Sequence, residues 1–320
     1  MNSKLTVKLI TYNRSEKLHN ALEAWGRSAF RGISIEVLDN ASTDGTAKVV
    51  YDAQRENARI SYFRHESNIG VVGNLLRAYE RFDSEYCWVL CDDDDFDSSA
   101  CESIILAMEK NVDTIVVGSV AVEPNDVGFE GMVSDYVARG AAFFVQASFL
   151  PNLIFKRKYL TGDVLYRLYR ASACIYPHAV LAGVLVETAK TLKVIDRPFV
   201  KRIHNDDVRP LGLHWLYESM LPSRYLHGNS KELWVGQMLS FTRNRSVVAL
   251  IKNQIWERAH YAFSFEQAVV LFGILKPYYP IHAFSLLILA ITPPVILSLA
   301  LSLVGRPVEK RVIDINSKRY

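Results

Sequence analysis

A chain of 320 residues, half of them hydrophobic, can bury one large core or one domain with an appendage. Its 37 lysines and arginines against 34 aspartates and glutamates leave a net charge of +3, which makes no case for nucleic acid as a partner. The four cysteines, Cys87, Cys91, Cys101 and Cys174, include no C-x-x-C pair, so neither a zinc site nor a disulfide framework is expected, and a reducing cytoplasm fits.

The opening MNSKLTVKLITYNR runs directly into a strand pattern, which predicts that no signal peptide precedes the fold. Leu5–Ile10 reads as the first strand and ends in the polar turn Thr11-Tyr12-Asn13-Arg14. Ser15 is placed to cap a helix whose Leu18, Leu22 and Trp25 share one face. Ile33–Leu38 is the second strand. The loop Asp39–Thr46 after it is dense in hydrogen-bonding side chains, and Asp44 there reads as a turn and capping residue. A helix through Val49, Val50 and Ala53 follows, then a third strand at Ile60–Phe63. Asn68-Ile69-Gly70 opens a helix with Val71, Val72, Leu75, Leu76 and Tyr79 inward. Beyond the central strand, Ser99 and Glu102 form a candidate capping box for a helix carrying Ile104, Ile105 and Met108. Asp113–Val120 is another apolar strand.

The central stretch, Tyr86–Phe96, reads YCWVLCDDDDF. Six apolar or aromatic residues in a row are too few for a typical helix and too dry for a loop, so they predict a strand covered on both faces, as in a parallel sheet. Asp92, Asp93, Asp94 and Asp95 follow at its carboxyl end, the edge where open α/β sheets bind ligands. Adjacent carboxylates repel unless a cation compensates. All-oxygen ligands suit Mg2+ or Mn2+, which bind through one or two carboxylates plus substrate phosphates. A solvated acidic turn is the alternative. Strand and helix alternate four times at βαβ spacing, which predicts a mostly parallel α/β sheet with the loops Thr11–Arg14, Asp39–Thr46 and Asp92–Asp95 on one rim. No glycine-rich phosphate loop is present, so a diphosphate there would rely on a metal. Without such a loop in TYNRSEK, a nucleotidyltransferase is disfavoured.

Four pieces in order, LITYNR, VLDNASTDGT, NIGVVGN and EYCWVLCDDDDF, resemble the nucleotide-sugar glycosyltransferases of family 2, and they span roughly the first hundred residues. The acidic motif, of DXD type, is similar to that of bacterial members that build surface polysaccharides, such as O-antigen sugar transferases. The resemblance implies a GT-A fold and a sugar donor bound as a nucleoside diphosphate. Thr11 and Tyr12, with Arg14 in the same loop, would line the nucleotide pocket, and Asp39 would hydrogen-bond the base. Asn68, Gly70 and Asn74 would approach from the neighbouring loop. Asp92 would touch the ribose or the metal, and Asp93 or Asp94 would hold the Mn2+ or Mg2+. Backbone alternation pairs Asp92 with Asp94, whereas the register usual in the family favours Asp93, and an Asp stands in many members where Cys91 stands here. Tyr12 has the alternative of packing over the sheet edge, and Asn68 and Gly70 of merely starting a helix.

The resemblance divides the chain into a nucleotide-sugar half at 1–120, an acceptor half at 121–235 and a helical, hydrophobic appendage at 236–320. Phe143–Phe155 is apolar, broken at Pro151, and reads as strands beneath the acceptor site. Lys156, Arg157 and Lys158 form a short basic run. A helix is expected from Tyr176-Pro177-His178 through Val180, Leu181, Val184, Leu185 and Leu192. Family 2 enzymes often place an acidic base in this segment. Here no Glu-Asp pair occurs, and His178, neutral at a helix N-terminus, is the candidate base. A packed or capping histidine is the alternative, and Asp135 and Asp163 are rival bases. In RPFVKRIHNDD, Arg202 could offset diphosphate charge and His204 add a metal ligand, although structural roles are preferred for both.

Residues 281–305 contain no Asp, Glu, Lys or Arg and are long enough for a membrane span. Pro293-Pro294 interrupts them, and Arg306, Lys310, Arg311, Lys318 and Arg319 follow. A nucleotide-sugar enzyme faces the cytoplasm, so one full crossing would export this basic tail. The expectation is a helix–break–helix dipping into the inner membrane from its cytoplasmic side, with a homodimer interface as the alternative. The whole reading is a metal-dependent, inverting glycosyltransferase acting on a hydroxyl of a lipid-linked surface glycan. A catalytically inactive nucleotide-binding scaffold or regulator is the runner-up.

Overall fold

The computed structural model describes residues 4–118, 126–203, 213–241, 246–248, 250–251, 264–293, 296 and 299. The chain divides into two compact units, Met1–Ala173 with Pro177–Asp206, and Cys174–Tyr176 with Asp207–Tyr320.

The first unit is built on β1 (Leu5–Thr11), β2 (Ser34–Asp39), β3 (Ile60–Arg64) and β4 (Tyr86–Cys91), which pair in parallel in the order β3-β2-β1-β4. Every residue of β1 and all but the last of β4 are buried, as continuous apolar runs in a covered sheet require. The cover comes from helices α1 (Ser15–Arg27), α2 (Thr46–Glu56), α3 (Gly70–Glu80) and α4 (Cys101–Glu109). Leu18, Leu22 and Trp25 of α1 meet Phe30 and Trp88 in the main core, and Val50, Ile104 and Met108 join them. A buried ion pair interrupts the apolar runs. Lys8 is buried in β1 and reaches Glu36 of β2 at 2.5 Å, and Arg81 pairs with the same carboxylate from the end of α3.

Beyond β4 the sheet becomes mixed. A short pair outside the main sheet joins β5 (Asp94–Phe96) to a later strand. β6 (Thr114–Val116) does not touch β4. It is separated from it by β8 (Leu153–Lys156), antiparallel to both, and is followed outward by β9 (Leu192–Val194) and β7 (Glu130–Gly131). The two halves divided at 120/121 by sequence thus share one eight-stranded sheet. β10 (Val200–Ile203) returns antiparallel to β5, placing Arg202 opposite Asp95 in the backbone register.

Five local expectations are corrected. Ser15 is the first residue of α1 rather than its cap; its N–H is taken by Asp44 Oδ2 at 2.9 Å. Ser99 lies in a short 3-10 turn capped by Asp97, so α4 starts at Cys101 without a capping box. Phe143–Ser148 is a helix, the sixth after α5 (Val133–Ala138), and only Leu153 onward is a strand. This α6 is buried throughout, its polar Gln146 and Ser148 included, and an element buried on all sides carries no period that separates helix from strand. After α7 (Gly162–Arg170), helix α8 is Ala179–Thr188, two turns shorter than expected, and Leu192 belongs to β9. Val71 shares the stripe of Leu75 but lies in the first turn of α3 and is 71 % exposed.

The second unit contains α9 (Leu213–Met220), α10 (Gly228–Phe241), α11 (Phe265–Leu275) and α12 (Pro280–Ile291). Ser264 and Gln267 form a capping box on α11, and Phe272 meets Phe284 of α12 edge to face at 5.4 Å. α12 buries Ala283, Leu286 and Ala290, while Ile281, Phe284, Ile288 and Ile291 are exposed. It stops ahead of Pro293-Pro294. Among the described residues no helix is long and apolar enough to cross a membrane. Ile296 and Leu299 are exposed, and residues 300–320, including the basic tail, lie outside the described residues.

Candidate active site

Parallel pairing fixes what meets at the strand ends. Thr11 faces Asp39, Asp39 faces Arg64, and Ile10 faces Cys91. The residue after Cys91, Asp92, therefore arrives beside Thr11, whose hydroxyl donates to Asp92 Oδ2 at 2.5 Å. Arg14, at the start of α1, donates from Nη1 to Asp92 Oδ1 at 3.1 Å and to Asp93 Oδ2 at 2.8 Å. Thr11, Arg14 and Asp92 come together at one rim, as the alternation of elements required.

The acidic run does not stay in strand alternation, because a turn at Asp92-Asp93 interrupts it before β5. Asp92 turns to Thr11 and Arg14. Asp93 and Asp94 instead converge with Cys91, whose sulfur lies within 4.8 Å of their carboxylate oxygens. Burial pushes the Asp92 carboxyl up, against the pull of Thr11 and Arg14. Asp94 is pushed up to about 7, first by burial and then by the charges of Asp93, Asp92 and Asp95. Burial and the charges of Asp93, Asp94 and Asp92 raise the Cys91 thiol well above its usual range. A dication at this point would relieve both the repulsion and the buried charge. Two carboxylates suit Mn2+ and Mg2+ alike.

The second loop is held as tightly. Asp39 is fully buried; its Oδ1 accepts from the Ser42 N–H at 2.8 Å and its Oδ2 from the Tyr62 hydroxyl at 2.6 Å, with Arg64 Nε 3.6 Å away. Burial and the Asp39 bond raise the Tyr62 phenol, which keeps it a donor. Asn13 (φ 50°) accepts at Oδ1 from the Thr43 N–H at 2.7 Å and donates its own N–H to Ser42 Oγ at 2.9 Å, tying the first loop to the second. Asp44, one residue ahead of the cap position at Gly45, accepts from the Thr46 N–H and hydroxyl in the turn that leads into α2. Tyr12 is 37 % exposed. Asn68 accepts at Oδ1 from Asn40 Nδ2 at 2.7 Å and from the Gly70 N–H at 2.8 Å. Asn74 differs from expectation: it is buried, donates to the Leu38 carbonyl at 3.0 Å and meets His65 Nε2 at 3.0 Å. Its amide is spent inside the fold, so it supports the loop from beneath. Asn13, Asn40, Ser42 and His65 were not singled out from sequence; the polar density of the loops was the signal for the first three, whereas nothing local marked His65.

Residues 6–176 match the family described as Glycosyl transferase family 2. The chain belongs to glycosyl transferase family 2. It is 31% identical over 103 residues to the GalNAc(5)-diNAcBac-PP-undecaprenol beta-1,3-glucosyltransferase of Campylobacter jejuni, covering 32% of this chain and 33% of that protein. It is 36% identical over 88 residues to the abequosyltransferase RfbV of Salmonella typhimurium, 26% of either chain. The chain thus spans about a third and about a quarter of the lengths of these two relatives. S. aureus TarS 1-349 in complex with UDP-GlcNAc superposes with a TM-score of 0.61 at 14% identity, over 96% of this chain and 93% of that one. The mannosyltransferase PcManGT from Pyrobaculum calidifontis, in complex with GDP-Man and Mn2+, gives 0.53 at 14% identity, over 95% and 88%. At these identities the structural likeness shows the fold, which is GT-A.

In this family 2 chain the candidate base His178 is buried and lines a small cavity with Tyr79, Val89, Leu153 and Leu181, and its Nε2 bonds the Ser148 carbonyl at 3.0 Å. Burial lowers its pKa to about 4, against the pull of that carbonyl. Burial thus keeps the ring neutral, and its Nε2 is engaged by a backbone carbonyl. Asp135 on α5 and Asp163 on α7 are exposed, the latter 3.9 Å from Arg167. His204 lies outside the described residues.

Proposed function

We propose that this chain transfers a sugar from a nucleoside-diphosphate sugar to a hydroxyl of a lipid-linked bacterial surface glycan, with inversion at the anomeric carbon. The observation that carries the reading is the convergence of Asp93 and Asp94 beside the Thr11–Asp92–Arg14 cluster at the strand-end rim. Asp93 and Asp94 would hold a divalent ion, Mn2+ or Mg2+, which when bound supplies charge neutralisation for the departing diphosphate. Asp92, oriented by Thr11, would meet the ribose. Asp39, fixed by Tyr62 and Ser42, would define the base pocket together with Tyr12 and the loop at Asn68 and Gly70. The names of the two relatives, one acting on an undecaprenol-linked glycan and one transferring abequose, support the acceptor class. The nucleotides bound in the two structural neighbours support the donor class.

The reading places the protein peripherally at the cytoplasmic face of the inner membrane. Its support is the uncharged helix α12 with its exposed stripe Ile281, Phe284, Ile288 and Ile291. A homodimer is the competing way to cover that stripe. A panel of nucleotide sugars with Mn2+ or Mg2+ and a lipid-linked acceptor, monitored by nucleotide release, tests the activity. Acceptor-dependent release that disappears on chelation is the expected result. Nucleotide binding with no release from any donor would instead identify an inactive scaffold.

A further inference from the structure

We propose that Arg14 is a positioning residue that competes with the divalent ion for Asp93 and, once displaced, turns to the donor's diphosphate. This rests on the reading that Asp93 and Asp94 hold the ion.

A single nitrogen, Arg14 Nη1, spans Asp92 Oδ1 and Asp93 Oδ2. The two carboxylates differ in what else holds them. Asp92 is almost fully buried and keeps the Thr11 hydroxyl whether or not Arg14 stays. Asp93 is more open, 24 % exposed at its side chain, and also belongs to the cluster with Cys91 and Asp94 that a metal would occupy. A guanidinium and a dication on one carboxylate repel each other, so each weakens the other's binding by the same factor. The Arg14 backbone is anchored, its carbonyl accepting the Leu18 N–H at 2.9 Å, while its side chain is 46 % exposed. The long side chain can therefore move without disturbing α1. A planar fork of donors suits a phosphate pair better than a point charge does. Arg14 thus holds the carboxylate pair in order before loading and offers a cation to the diphosphate after it.

The test is a Mn2+ titration of donor-free protein, reading free Mn2+ by electron paramagnetic resonance, for wild type, Arg14→Gln and Arg14→Lys. Circular dichroism confirms the fold of each. Arg14→Gln should bind Mn2+ roughly tenfold more tightly, within the usual span of charge coupling, and Arg14→Lys should stay near wild type. With Mn2+ saturating, UDP or GDP should bind Arg14→Gln more weakly than wild type. Opposite signs for metal and nucleotide do not arise from a loosened fold. Mn2+ affinity equal to or below wild type in Arg14→Gln overturns the competition while leaving the metal reading intact. Failure of the wild type itself to bind Mn2+ removes both.

Discussion

Asp94 stands where burial and the charges of its acidic neighbours work against its own, and a divalent ion held by Asp93 and Asp94, as proposed, would compensate it. Replacing either by Asn should lower turnover by about a hundredfold or more, as removal of an electrostatic contact to a transition state does. Steady-state rates at saturating Mn2+ check this, and near-normal rates in both variants would remove the metal role. A second residue-scale prediction concerns Asp113, far from the chemistry. Burial pushes its carboxyl up, but Lys158, the Lys190 N–H and Tyr159 outweigh that and hold it down at about 2. A depressed carboxylate stabilises the fold above the unfolded pKa near 4 and loses that contribution as pH falls toward 2. Asp113→Asn should therefore cost roughly 2 kcal/mol at pH 7 by denaturant unfolding. The gap from wild type should close between about pH 4 and pH 2, and a gap that stays constant with pH would refute the ion pair.

At the scale of elements, the loops at the rim are ordered by backbone geometry as much as by side chains. Gly70 opens α3 with φ of +77°, and a Cβ there would meet nothing within 4 Å. Gly70→Ala should thus cost only the backbone strain, about 1 kcal/mol, with a lowered melting midpoint as the readout. A larger loss would mean that the space is filled by something else. The elements also show where periodicity ends as a guide. α1 to α4 alternate with strands and present one apolar face each, so their positions were legible. α6 is buried on every side, and reading it as strand follows from that ambiguity. The insertion of β8 between β4 and β6 has no local signal, since antiparallel entry into a parallel sheet depends on where the chain returns from.

For the whole molecule, the open question of partner falls on the second unit. The stripe Ile281, Ile288 and Ile291 on α12 should govern attachment to lipid. Changing all three to Ser should abolish co-flotation of the intact protein with anionic vesicles while leaving transfer to a soluble acceptor analogue in place. If flotation persists and a dimer dissociates instead, the stripe is a subunit interface. Full release of the wild type from membranes by salt alone would argue the same way.

The sequence by itself determined the order of the first four strands and helices, the rim on which Thr11, Asp39 and Asp92 lie, and the family. These follow from local periodicity and from the rule that parallel strands bring their ends to one edge. Only the tertiary structure decided which partners each carboxylate meets, because the turn at Asp92-Asp93 cancels strand alternation and gives Asp92 to Thr11 and Arg14, and Asp93 to Arg14. It likewise turned Asn74 and His178 inward and buried Lys8 against Glu36. Each of those side chains is polar, and a polar residue's destination is set by partners distant in the chain, which no window of neighbouring residues contains.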